Sequence, residues 1–244
     1  MPPRQGAARN AATMSPEERL AALDRSASRK PTRRAAMTNR KRLAQACGVV
    51  ALIGCVIVAG ADLLGVTLAH NIGPVAETIS NVAAGGRYDW LEDAGLYSFV
   101  VAVLAVAGGI SLWKVAGWDW AIGRILLAVL AGAVVAIAAY EAYNRPGGGP
   151  DLHLYFVGLL AVCFPLAVWL TSRGLTADPR AKWALRLFAA IWAVAAPPLY
   201  LMPTGWDGLY ERALALLMLG WFALAAFSLW RRSDRARIGA NWSG

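Results

Sequence analysis

Six long apolar runs, separated by polar and Gly/Pro-bearing segments, organise this chain. They span residues 43–66, 94–113, 121–143, 153–171, 183–201 and 209–230. Each holds roughly 19 or more mainly apolar residues, enough to cross about 30 Å of hydrocarbon as an α-helix. A bilayer demands helix here, because every backbone N–H and C=O must be satisfied within the segment. The pattern predicts an all-α integral membrane bundle of six transmembrane helices. Around it the chain divides into a basic disordered cytoplasmic tail at 1–42, the membrane domain at 43–231 and a cytoplasmic C-terminal tail at 232–244.

The even-numbered runs open alike, with Asp93…Leu96-Tyr97, Asp151…Leu154-Tyr155 and Asp207…Leu209-Tyr210. They also close alike, at Trp113-Lys114, at Trp169 followed by Arg173, and at Trp230-Arg231. Two explanations stay open. One is three repeated helical hairpins, since duplicated units recur in membrane proteins. The other is shared physical constraint: Asp suits a helix N-terminus, and Tyr and Trp suit the membrane interface. The first outer loop breaks the pattern by its length. Within it Ile72, Val75, Ala76, Ile79 and Val82 fall on one helical face, Pro74 suits a first turn and Gly85-Gly86 suits a stop. A short interfacial helix is expected there, presenting Glu77, Ser80 and Asn81.

Charge adds orientation. The chain has 244 residues, 58% hydrophobic and 16% charged, with a formal charge of +9. Residues 1–42 carry 11 Lys/Arg against 3 Asp/Glu, so the basicity belongs to the tail. Arg40-Lys41-Arg42 abuts the first run, Lys114 and Arg124 bound the second connection, and Arg173, Arg180, Lys182 and Arg186 mark the fourth. The opposite connections gather Glu77, Asp89, Glu92, Asp93, Glu141, Asp151, Asp207 and Glu211. Basic loops stay cytoplasmic, so both termini are expected inside. An Arg- and Ala-rich composition hints at a bacterial protein, and hence at the inner membrane. The tail can attract anionic lipid. It comes with no folded module for nucleic acid.

Candidate chemistry is sparse. No acid or base falls near the middle of any run, which disfavours a proton-coupled pump or carrier. Cys47, Cys55 and Cys163 form no CxxC pair and read as buried thiols. Asp62 falls about 28 Å into its helix and therefore near the outer surface. The only histidines are His70 and His153, both at the outer side. His70, Glu77, Ser80, Asn81, Asp93 and His153 are the expected ligand-binding set, converging where the first outer loop meets the starts of helices two and four. No metal site and no cofactor are expected. Two imidazoles facing each other would allow one haem, and with Asp62, Asp93 or Glu77 a zinc ion.

The stretch from His70 to Gly109, with Glu77-Thr78-Ile79-Ser80-Asn81 and then Asp93-Ala94-Gly95-Leu96, resembles a bacterial six-helix membrane family catalogued as domain of unknown function 998. The family opens its last helix with a Gly-Leu-x-Glu/Gln-Arg sequence, matched by Gly208-Leu209-Tyr210-Glu211-Arg212. The likeness covers about residues 43–231. Asn81 stands where the family commonly has an acid. The resemblance implies the fold and a membrane location and transfers no reaction. The leading expectation is a non-enzymatic protein that binds a lipid, a small apolar molecule or a partner helix at a polar outer vestibule. The alternatives are an intramembrane enzyme (a metal-dependent lipid hydrolase or a haem redox protein) and an accessory subunit of a membrane complex.

Overall fold

The computed structural model describes residues 15–68, 73, 75–79, 89–113, 115–139, 152–176, 178–201, 203 and 205–231. All regular structure among them is helical. Helices α1 (Pro16–Leu68), α2 (Asp89–Ser111), α3 (Trp118–Ala139), α4 (Leu152–Leu175), α5 (Pro179–Ala195) and α6 (Asp207–Arg231) follow in order, with a 3₁₀ turn at Pro197–Leu201. Six stretches are long and apolar enough to cross a membrane: Met37–Leu68, Asp89–Ser111, Trp118–Ala139, Leu152–Leu175, Pro179–Leu201 and Asp207–Trp230. The expected six-helix membrane bundle is the observed fold.

The chain divides into two compact units, Met1–Arg42 and Leu43–Gly244. In the first, α1 opens on a capping box. The Glu18 N–H donates to Ser15 Oγ at 3.2 Å, and the Ser15 N–H donates to Glu18 Oε2 at 2.9 Å. This reciprocal pair satisfies two donors that a helix start leaves without partners. Helix from Pro16 onward is a finding that the basic composition of residues 1–42 did not suggest.

In the second unit each helix packs on the next, from α2 to α6, and α6 also reaches α2 and α4. Small residues bring α1 against this array. A Cβ added at Gly48 would stand 2.6 Å from the Ala226 carbonyl of α6, and one at Gly54 would stand 2.6 Å from the Ser98 carbonyl of α2. In lipid, helix association depends on such close backbone approach, because the tails outside are as apolar as the side chains inside. Helix α6 forms the centre: Trp221, Phe222, Ala225, Ala226 and Leu229 are fully buried. Phe164 of α4 meets Trp192 of α5 and Trp221 edge-on, at 4.8 and 5.9 Å between centroids. That geometry aligns ring edges with ring faces.

The helices alternate in direction, so the bundle has two unlike ends. At the turn end, α2 passes to α3 through residues 112–117, and α4 passes to α5 through residues 176–178. Asp178 caps α5 there, its side chain accepting from the Arg180 N–H at 3.0 Å, with Pro179 in the first turn. At the other end, called the clasp end below, α2, α4 and α6 begin and α1, α3 and α5 finish. Helix α2 starts at Asp89, a turn before the apolar run, and Asp89 Oδ1 accepts from the Trp90 N–H at 2.6 Å. Helix α5 stops at Ala195, and Pro197-Pro198 leads into the 3₁₀ turn. A Pro pair lacks the N–H donors that would continue an α-helix. Pro165, by contrast, sits inside an uninterrupted α4.

Most of the expected interfacial helix falls on residues 80–88, outside the described residues. Its described part begins as a turn, with the Ala76 and Glu77 N–H groups both donating to the Gly73 carbonyl, at 3.1 and 2.9 Å.

Candidate functional site

The sequence Gly208-Leu209-Tyr210-Glu211-Arg212 opens α6, and each of its members makes at least one interhelical or helix–loop contact. Gly208 lies directly against the backbone of Glu77, in space that any Cβ would occupy. The Leu209 N–H donates to the Val75 carbonyl at 3.0 Å. Tyr210 Oη–H donates to the Ala195 carbonyl of α5 at 2.8 Å. The Ile79 N–H donates to Glu211 Oε2 at 2.7 Å. Arg212 Nη1 donates to the Glu77 carbonyl at 2.7 Å and to the Gly208 carbonyl at 3.3 Å. Its Nε donates to both carboxylate oxygens of Asp62 at 3.1 Å, and Nη2 stands 3.0 Å from Asp62 Oδ1. One short stretch of α6 thus fastens α1, α5 and the first long loop together.

The Asp62–Arg212 pair lies inside the helices, not at their tips. Arg212 is the sixth residue of α6, roughly 8 Å along its axis at 1.5 Å per residue. The two side chains are 21% and 13% exposed, so this is a largely desolvated, nearly bidentate pair. Ion pairs at such depth are costly to form and costlier to break, because the partner left behind keeps its charge without compensation.

Below the clasp lies a cavity of about 460 Å³, walled by all six helices. Asp62, Glu92, His153, Tyr200, Glu211 and Arg212 line its polar end. Val58, Leu96, Phe99, Val134, Ile137, Val157, Leu160, Trp192, Leu214 and Met218 make up much of the remainder, which is apolar. On α6 the lining runs from Glu211 to Leu219, so the cavity extends about 12 Å along that helix towards the middle of the bundle. Leu63 and Leu216 also line it while being 65% and 64% exposed, so its wall is open between helices to the surroundings of the bundle. Trp192 Nε1–H donates to the Ala161 carbonyl at 3.0 Å, which fixes the indole as wall between α4 and α5.

Glu92 stands out among the carboxyl groups that line this cavity. The residue is 1% exposed, it lines the cavity, and its Oε1 has no hydrogen-bond partner among the described residues. Asp62, Asp93 and Glu211, together with the guanidinium of Arg212, act on it electrostatically. A buried acceptor without a donor is uncommon and costly.

Both halves of the clasp, residues 75–79 and 208–212, fall within residues 52–228, which match the family described as Protein of unknown function (DUF998). The chain belongs to this family. No curated protein and no solved structure matches it. The two stretches that carried the resemblance in the DUF998 chain are thus partners across the fold: the loop sequence beginning Glu77-Thr78-Ile79 is held by the sequence that opens the last helix.

Of the residues expected to form the site, His153 is buried, 1% exposed, and lines the cavity. Glu77 contributes its carbonyl to Arg212 and its backbone to the contact with Gly208. Asp93 is half-buried beside Glu92, with Oδ1 lacking a hydrogen-bond partner among the described residues, and does not line the cavity. His70, Ser80 and Asn81 lie outside the described residues. Sequence reasoning passed over Glu92, Glu211, Arg212 and Tyr200 as site residues. For Glu92 a signal existed: Gly95, Phe99 and Val103 follow at helical spacing, and all are buried. For Arg212 the signal was the oddity of a base just inside an apolar helix at the acidic end.

Proposed function

We propose that this DUF998 protein is a non-enzymatic inner-membrane protein that binds one lipid or small apolar molecule in the clasp-end cavity. The observation that carries the reading is the cavity itself, polar at one end, apolar along its length and open between helices. Its volume of about 460 Å³ lies within the roughly 300–1,000 Å³ of small-molecule sites. A partner helix fits poorly: at about 10 Å across and 5.4 Å per turn, a single turn would fill the space. The distribution of basic residues supports a clasp end on the extracytoplasmic side and both termini in the cytoplasm.

The enzymatic alternatives receive less support. Among the described residues no three His, Cys, Asp or Glu side chains are placed to hold a metal ion. The haem reading depends on His70, which lies outside the described residues.

Mass spectrometry of lipids retained by the full chain after purification tests the reading. One amphiphile should be enriched over the bulk membrane, and Ala215→Trp, which fills the cavity, should abolish the enrichment. A wild-type profile indistinguishable from bulk lipid contradicts it. For topology, a cysteine replacing Gly86 should be labelled by an impermeant maleimide in intact cells; labelling only after lysis reverses the orientation.

A further inference from the structure

We infer that the cavity takes a single-chain amphiphile whose head donates a hydrogen bond, an alcohol or a primary ammonium, and that Glu92 receives that head. The inference rests on the cavity-binding reading above and adds the chemistry of the occupant.

Three observations select it. First, Glu92 supplies an acceptor that no described residue uses: it is almost wholly buried, it lines the cavity, and Oε1 has no donor among the described residues. A buried acceptor of this kind is satisfied by a ligand donor at no cost to any existing bond. Second, among the described residues the polar end is poor in cations. Arg212 is committed to Asp62 and to the Glu77 and Gly208 carbonyls, while Asp62, Asp93 and Glu211 all bear on Glu92. A carboxylate or phosphate head would meet three carboxyl groups and, among the described residues, one guanidinium already paired with Asp62, whereas a hydroxyl or ammonium meets the group it can donate to. Third, the space beyond Glu92 is lined by apolar side chains. Leu96 and Phe99 follow on the same face of α2, and Met218 lies at the far part, about 10 Å or more from the head position. That lining suits an alkyl chain, admitted between helices past Leu63 and Leu216.

Saturable binding of radiolabelled decan-1-ol, decylamine and decanoate to the full chain in lipid nanodiscs, over that of empty discs, tests this. The alcohol or the amine should bind at one per chain, with decanoate about tenfold or more weaker, the scale of one charge-assisted hydrogen bond. Glu92→Leu should remove that preference. Glu92→Gln, which keeps an acceptor oxygen but no charge, separates the heads: it retains decan-1-ol if the natural head is a hydroxyl and loses decylamine if it is an ammonium. Equal binding of all three probes, unchanged in Glu92→Leu and abolished by Ala215→Trp, overturns the head-group inference and leaves the cavity reading standing. Saturable binding of none of the probes overturns both. The ranking of the three heads on wild-type protein decides the matter even where a Glu92 variant fails to fold.

Discussion

The two ends of the bundle hold their loops by opposite means. At the turn end the connections are short, and the charged contacts sit near the surface. Arg173 pairs with Asp119 and donates to the Ala116 carbonyl at 2.7 Å, with its side chain 40% exposed. Arg186 donates to Ser172 Oγ at 3.1 Å and lies over the Trp169 and Trp183 rings at 4.6 and 5.7 Å. Trp120 fills the space against Gly174 and stacks on Trp113 at 6.3 Å. At the clasp end a longer connection is fastened by a buried pair, and space is left beneath it. Closure at the turn end comes from local sequence: a cap, a Pro and tight turns. Closure at the clasp end comes from residues 150 positions apart, Asp62 and Arg212. A protein that needed only to seal both ends had the local solution at hand. The long-range clasp over a cavity, with an unsatisfied carboxyl inside it, is what points to binding there.

The comparison breaks most sharply at Arg212. Arg212→Ala strands Asp62 beside Glu92 and frees the Glu77 carbonyl. Breaking a buried pair costs roughly 3–5 kcal/mol, and the partial exposure of Asp62 puts the expected loss near the lower figure. Reversible unfolding in mixed micelles measures it, and a loss below about 1 kcal/mol would make the clasp ornamental. Next comes Gly208→Ala. Its new Cβ meets Glu77 backbone, which cannot rotate away, so an overpacking cost of about 1–3 kcal/mol is expected. Faster hydrogen exchange confined to residues 75–79 and the start of α6 is the signature; uniform acceleration across the bundle would instead mark general loosening. The smallest effect belongs to the turn end. Arg173→Ala removes a pair that is well exposed on the arginine side, and solvent screening holds its worth to about 0–1 kcal/mol. A loss matching that of Arg212→Ala would erase the distinction between the ends.

Much of this architecture is legible in the chain. Run length and apolarity give all six spans, and the Asp-led starts of the even helices place α6 well: Asp207 Oδ1 accepts from the Gly205 and Gly208 N–H groups at 3.1 and 3.2 Å. The candidate site is legible only in outline. Asp62 falls towards the end of its helix, as its place in the run implies, but its partner is fixed by which helices become neighbours, and periodicity does not encode that. Glu92 looks like one more acid in a loop-facing cluster until α2 is seen to begin at Asp89, which turns it inward with Phe99. The cavity has no sequence signature at all, since it is the gap left when Gly-mediated contacts draw some helix pairs together and bulky walls hold others apart.

Photolabelling in native membranes tests the binding role of the clasp end most directly. The probe is decan-1-ol carrying a diazirine at the end of its chain, and the labelled residues are located by peptide sequencing. A bound probe with its head at Glu92 places the diazirine on cavity residues such as Phe99, Trp192 and Met218, and excess unlabelled decan-1-ol removes that labelling. Labelling spread over outward-facing residues such as Leu104 and Val194, insensitive to competitor, would show the alcohol only as a component of the surrounding lipid and contradict a binding cavity.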